Sequence, residues 1–296
     1  MAAFSALYGE VVEQLHDSSA AMVTRAKEWI NLCQQEVATA IEWPWLLTED
    51  GVVIDAAVTS GTANVTNGDA TVVITATPAA MAAGQWYFQA GTDTTWYPVA
   101  SRTDATDFEL VQKYQGTTDT TADYKLYHII YSMPSDLWRV ADHRNMASPR
   151  KMDYAAYLRV DFSDPALQQT GTDTFLWVPM GVDANSYMQA MFWPPRISAG
   201  MFNLRYYKSL SDLSADADVS QLPLPDHEIL VYGALMRGFR YLSDLEQVEM
   251  NTVEFLRRLA NMKRRYLSHP DSTIIMGTGN RENDDLLSRM SLPVTT

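Results

Sequence analysis

The sequence has a single cysteine, Cys33, and far fewer basic than acidic residues. One thiol excludes a disulfide within the chain, and its apolar neighbours indicate a small core side chain. The 22 basic residues against 36 acidic ones give a net charge of −14, which argues against a generally basic nucleic-acid-binding protein. No apolar run approaches the roughly 20 residues of a membrane span, and the first residues lack the positive charge of a signal peptide. We therefore expect a protein that is made and folded in a reducing cytoplasm, with no membrane partner.

Hydrophobic residues make up 47 % of the 296 residues, which is enough for a substantial core. The first long apolar pattern predicts a helix over residues 18–42, because its members recur at three- and four-residue steps. They are Met22, Ala26, Trp29, Ile30, Cys33, Val37, Ala40 and Ile41. Ser18 and Ser19 supply N-cap hydroxyls, and the proline of Trp43-Pro44-Trp45 ends the helix near Glu42. We expect the two indoles to fold back over the apolar stripe.

From about residue 50 to residue 131 the apolar period changes from helical to two, which indicates strands. The predicted strands are 52–58, 62–66, 70–76, 85–90, 95–101, 107–112 and 124–131. Asn67-Gly68 predicts a tight hairpin, because these residues adopt the positive φ that such a turn requires. We read the polar segment 115–123 as a turn-type linker. Seven short strands at this spacing predict a small antiparallel barrel or sandwich.

Three more strands, at residues 174–180, 187–193 and 201–207, predict a short β-meander. Residues 213–225 form a linker, and Asp226 is placed to cap a helical region that extends to residue 268 with a bend near residues 242–245. In the second of these helices a periodic apolar set predicts the buried face. It comprises Leu245, Val248, Thr252, Leu256, Leu259, Met262 and Tyr266.

Together these elements predict an α+β fold. Its core is a helical bundle with an inserted small antiparallel β-barrel or sandwich domain, a short β-meander and an extended C-terminal tail. The predicted divisions are the N-terminal helices of the core (1–49), the inserted β domain (50–131), the remainder of the core (132–269) and the tail (270–296). The N-terminal helix is expected to bury its stripe against the C-terminal helix pair.

The sequence contains no arrangement that we recognise as catalytic, and we expect neither an enzyme nor a cofactor or metal site. His227-Glu228 lies at a helix start, where the helix dipole favours an acidic residue. Asp153, Asp161 and Asp164 could form a carboxylate group, although solvation at the surface is the simpler interpretation.

One dense basic patch is predicted in the last helix. Its members are Arg257, Arg258, Lys263, Arg264 and Arg265. Glu254 is an i,i+4 partner for Arg258, which favours a solvated helix face. The alternatives are contact with an acidic neighbouring subunit or with a DNA backbone.

The order of several motifs resembles that of head-to-tail connector (adaptor) proteins of tailed bacteriophages, in particular short-tailed ones. A helix ending in Trp43-Pro44-Trp45 enters a β segment that reads Gly-x-Ala-x-Val-Thr-Asn-Gly-Asp-Ala-Thr-Val at residues 61–72. Trp-Tyr-x-Val-Ala-Ser follows at 96–101, Tyr-Gln-Gly at 114–116 and Met-Pro-Ser-Asp-Leu-Trp-Arg-Val at 133–140. Each motif is structural, and the resemblance covers about residues 20–268.

The resemblance implies a structural virion protein at the head–tail junction. It would form a ring, usually of twelve copies, that joins the portal protein to the tail and surrounds the DNA channel without sequence-specific binding. The implied partners are the portal, other copies of the chain, and tail, nozzle or fibre proteins at the β insertion. Residues 270–296 would contact the portal through small apolar clusters. These are Ile274, Ile275, Met276, Leu286, Leu287, Met290 and Leu292.

Two other functions stay open. The threonine-rich aromatic segment 50–131 could make the chain a carbohydrate- or fibre-binding module of a phage tail. A cell-wall glycan hydrolase would need two carboxylates roughly 5–10 Å apart, and no such pair stands out in the sequence.

Overall fold

The computed structural model describes residues 3–267, except 80, 92, 146–149, 166–168 and 172. The predicted tail, residues 270–296, lies outside the described residues. The described helices are α1 (Phe4–Gln14), α2 (Ala20–Thr39), α3 (Tyr157–Ser163), α4 (Glu228–Tyr241) and α5 (Leu245–Leu267), with short 3-10 turns at Pro44–Leu46 and Leu224–Asp226. None of these helices combines the length and apolar character needed to cross a membrane.

Fifteen strands lie in the described part of the chain and form three sheets. They are β1 (Leu47–Ile54), β2 (Ala63–Val65), β3 (Thr71–Ile74), β4 (Trp86–Ala90), β5 (Tyr97–Arg102), β6 (Asp107–Leu110), β7 (Asp119–Ala122), β8 (Tyr124–His128), β9 (Ile130–Ser132), β10 (Leu137–Asn145), β11 (Arg150–Lys151), β12 (Asp153–Tyr154), β13 (Leu176–Val182), β14 (Met188–Trp193) and β15 (Gly200–Lys208).

The predicted helical bundle core is wrong, because most of the regular elements are strands and the buried residues form four clusters. The chain is α+β, with a nearly closed seven-stranded antiparallel sheet. Helices α1, α2, α4 and α5 contribute to one of the four clusters, and the other three consist mainly of strand and loop residues, with Val160 of α3 in one of them. Within the helical cluster, Ser19 caps α2 by accepting a hydrogen bond from the amide of Met22 at 3.3 Å.

A non-helical segment, residues 209–222, also lies against α2 and includes a turn closed by a hydrogen bond from the Asp218 amide to the Ala215 carbonyl. Side chains of α2 hold it by hydrogen bonds to its backbone. The Asn31 amide donates to the carbonyl of Leu213 at 3.0 Å, and the Gln34 amide donates to the carbonyl of Ser211 at 2.9 Å. Amide groups suit this role because a non-helical segment presents unpaired backbone groups, whereas a helix satisfies its own.

The seven-stranded sheet has the order β7-β2-β3-β6-β5-β4-β8, and all of its neighbours are antiparallel. Its two edge strands, β7 and β8, are separated by one residue, so the sheet nearly closes on itself. Aromatic residues such as Phe88 and Phe108, with ring centroids 5.4 Å apart, fill its interior. The predicted Asn67-Gly68 turn joins β2 to β3, with Gly68 at φ +82°.

Two predictions for this region are wrong. The strand predicted at 52–58 belongs elsewhere: β1 pairs over its whole length with β15, because Val52 and Ile54 are buried with residues of that sheet. Residues 115–123, read as a linker, contain the edge strand β7. Only Ala122 of β7 is buried, so the strand lacks the apolar alternation that predicts a strand from sequence.

The other two sheets have the orders β1-β15-β10-β11 and β12-β13-β14-β9. The chain passes from one to the other through the buried Met152, between β11 and β12, and side chains of both sheets share one cluster. The predicted three-strand meander is wrong, because β13 pairs with β14 while β15 lies in the other sheet. The reason is that β15 buries Phe202 and Leu204 between β1 and β10.

Candidate functional site

The segment Trp43-Pro44-Trp45, which follows helix α2, packs against the end of helix α5. Trp43 is fully buried, and its indole N–H donates to the carbonyl of Val37 at 2.7 Å. Its ring stacks on Trp45, with centroids 6.0 Å apart, and meets Tyr266 edge-on at 6.4 Å. The two indoles therefore lie over the apolar stripe of α2, as predicted, and Trp43 also contacts the last turn of α5.

Asp226 does not cap α4, contrary to the prediction. Its carboxylate accepts hydrogen bonds from the Arg265 guanidinium at 2.7 Å and from the Tyr266 hydroxyl at 2.9 Å. The N-cap position belongs to His227, which makes no side-chain capping bond. The physical reason is that Asp226 lies in a 3-10 turn facing α5, where a cation and a hydroxyl engage both of its oxygens.

Two arginines of the predicted basic patch are neutralised within the chain. Glu254 accepts hydrogen bonds from Arg257 at 2.7 Å and from Arg258 at 2.9 Å, and the hydrogen bond from Arg257 is the main cause that lowers the pKa of Glu254 to about 2. Arg258 also pairs with Glu228 at 2.6 Å and stacks over the ring of Tyr232. The i,i+4 pairing predicted for Glu254 and Arg258 is therefore present.

The other three members of the patch are one paired arginine and two solvent-exposed cations. Arg265 pairs with Asp226, as described above. Lys263 and Arg264 are exposed, and neither takes part in an ion pair among the described residues. The patch therefore divides into three paired arginines and two solvent-facing cations.

Helix α5 carries apolar residues on the side that faces solvent. Its buried face consists of Asn251, Phe255 and Met262. At 100° per residue, an exposed set lies on the other side of the helix. This set, which we call the outer stripe, comprises Leu245 (72 % exposed), Met250 (61 %), Val253 (67 %), Leu256 (55 %) and Leu267 (43 %).

The outer stripe corrects the predicted buried face of this helix, which included Leu245 and Leu256. The two faces were confused because apolar residues occur around much of the helix, so spacing alone gives more than one periodic set. Phe255 lies in the core and was missing from the predicted set. A helix that is apolar toward both the core and solvent is typical of a surface that binds another chain.

The other residues singled out in the sequence do not form a reaction centre among the described residues. Asp153 lies on β12 and Asp161 on α3, while the buried Asp164 accepts a hydrogen bond from the amide of Gln169 at 2.7 Å. His227 is buried, with its Nε2 2.9 Å from the carbonyl oxygen of Leu222. Across the described ranges, no group of three or more His, Cys, Asp or Glu side chains is placed to hold a metal ion.

The candidate portal-binding residues all lie outside the described residues, in 270–296. Comparison with known proteins adds no assignment for any part of the chain. No model of a known protein family matches the sequence, and no curated protein matches it significantly.

Proposed function

We propose that this chain is the subunit of a head-to-tail connector of a tailed bacteriophage. The protein would be a structural component of the virion that forms a ring, of twelve copies by the resemblance, between the portal and the tail. The order of the structural motifs, from Trp43-Pro44-Trp45 to residues 133–140, supports this family.

The observation that carries the proposal is the outer stripe of α5. Exposed apolar patches on soluble proteins usually become buried in complexes, at about 25 cal/mol for each Å² removed from water. Lys263 and Arg264 lie in the last turns of the same helix, and the chain as a whole has a net charge of −14. Glu246 and Glu249 are exposed near the start of this face, so its two ends carry opposite charges and suit contact with a second copy of the same face.

The charge distribution also suits a channel through which DNA passes. A net charge of −14 keeps the polyanion away from the wall of the ring. Three of the five clustered basic residues already have carboxylate partners, which reduces their attraction for phosphates. Residues 270–296, with their small apolar clusters, are proposed as the contact with the portal.

The test is sedimentation of the purified chain with and without the portal ring of the same virus. We expect a small species alone and co-sedimentation with the portal in equal copy numbers. A truncation to residues 1–269 should fail to join the portal. Absence of association with the portal under every condition would refute the connector function.

The outer stripe is tested with the double substitution Val253→Asp and Leu256→Asp. Both side chains face solvent, so the variant should keep its helix content and unfold at the same temperature as the parent chain. It should, however, fail to assemble into the ring when the portal is present. The matched control is Val111→Asp, at a valine that is 59 % exposed in the seven-stranded region. If the α5 variant assembles as the control does, the stripe is not a subunit contact.

A further inference from the structure

A cleft opens between the two four-stranded sheets, beside the point where the chain passes from β11 to β12. Its volume is about 650 Å³, within the usual range of small-molecule sites. Leu137, Val140, Trp177 and Met188 line it, and all four are only partly buried members of the cluster between the sheets. The cleft is therefore an opening into the apolar space between the sheets.

Three aromatic residues from separate strands line this cleft: Trp138, Tyr154 and Trp177. The ring of Tyr154 is 62 % exposed and meets Trp177 edge-to-face, with centroids 5.2 Å apart. Trp177 in turn packs against the fully buried ring of His143, at 4.6 Å. Because His143 and Tyr154 both pack against Trp177, its ring offers a surface that is already ordered before any ligand binds.

The polar residues of the cleft carry both signs of charge in equal number. Arg139 and Lys151 face the same opening as Asp142 and Asp153. Arg139 is also ion-paired with Glu42. A strongly anionic ligand would be repelled by Asp142 and Asp153, and a strongly cationic one by Lys151. A neutral ligand rich in hydroxyl groups can form hydrogen bonds with side chains of both charges, since carboxylates accept hydrogen bonds and cationic groups donate them.

We infer that this cleft binds neutral pyranose rings of a glycan. The C–H face of such a ring is apolar and carries slight positive charge, so it packs on the electron-rich face of an indole or phenol. The hydroxyls around its edge match donors and acceptors of both kinds at the rim. The inference does not depend on the connector function, and the cleft lies outside residues 50–131, where the sequence suggested glycan binding.

The test is titration of the full chain with two neutral oligosaccharides, maltohexaose and the hexamer of β-1,4-linked N-acetylglucosamine. Saturation-transfer NMR on the sugars should give saturable binding to at least one of them. Tyr154→Ala and Trp138→Ala should each weaken binding about tenfold, as expected for the loss of one aromatic contact. The matched control is Tyr241→Ala, which removes a similarly exposed tyrosine (53 %) from α4.

Two results would overturn the inference. The first is the absence of saturable binding to both sugars; if a cleft variant then also loses self-association, the cleft is a contact between copies. The second is equal binding by the parent chain, the two cleft variants and the Tyr241→Ala control. Since sugar binding is measured without a portal, failure of the connector proposal would leave this result unaffected.

Discussion

Acidification should destabilise the fold through one residue, His143 on β10. Its side chain is fully buried and lies against the rings of Trp177 at 4.6 Å and Phe192 at 5.5 Å. Neither ring nitrogen has a hydrogen-bond partner among the described residues. Burial is the main influence and lowers the pKa of His143 from 6.5 to about 4, although the charge of Asp142 acts in the opposite direction. Because protonation would place an unsolvated cation in the core, the folded state keeps this ring neutral.

The sign and size of the effect follow from the two pKa values. As the pH falls below 6.5, His143 takes up a proton in the unfolded chain but not in the folded one, until the pH reaches about 4. The free energy of unfolding therefore decreases by up to about 1.4 kcal/mol for each pH unit in this interval. The accumulated loss from this one side chain is about 3 kcal/mol, which is a large part of the stability of an ordinary domain.

The assay is urea unfolding, followed by circular dichroism, of the parent chain and of His143→Phe between pH 6.5 and pH 4. Phenylalanine keeps a ring in the core without a titrating group, so this variant should lose less stability on acidification by about 3 kcal/mol. Dilute protein is needed because the isoelectric point, about 4.7, lies in this interval. The control is His16→Asn, at an exposed residue with φ of 54°, which asparagine tolerates. Equal pH dependence in the parent and in His143→Phe would refute the reasoning.

Two further predictions concern the helical cluster. Gly233→Ala should destabilise the protein by about 1–3 kcal/mol, because the new Cβ would lie 2.1 Å from the sulfur of Cys33. Cys33→Ala in the same chain should recover much of that loss in thermal unfolding, whereas Gly9→Ala, with open space around it, should be neutral or stabilising. Trp43→Phe should cost about 1–3 kcal/mol in urea unfolding because its indole N–H is bonded. Trp45→Phe should cost less, since the indole N–H of Trp45 has no partner among the described residues, and equal losses would contradict this.

Local signals in the sequence predicted the parts of the fold that local chemistry determines. Ser19 begins α2, Pro44 follows its end, and Gly68 turns between β2 and β3, because each of these residues acts within a few positions of itself. Local signals do not determine which strands pair, since a strand with alternating apolar residues can pair in several sheets. This is why β1 was assigned to the wrong sheet and β15 to a meander.

The surfaces proposed to bind partners were the hardest to predict, for two physical reasons. The outer stripe has the same residue types and nearly the same spacing as a buried face, and the two are distinguished by the burial of Phe255 and Met262 in the helical cluster. The cleft is lined by Trp138, Tyr154 and Trp177, which lie on three strands of two different sheets. No local sequence pattern predicts that these strands come together. A substitution of Met152 that moves the backbone between β11 and β12 should therefore disturb both the cleft and the core between the two four-stranded sheets. It should leave the seven-stranded sheet intact, because that sheet has a separate cluster of buried residues.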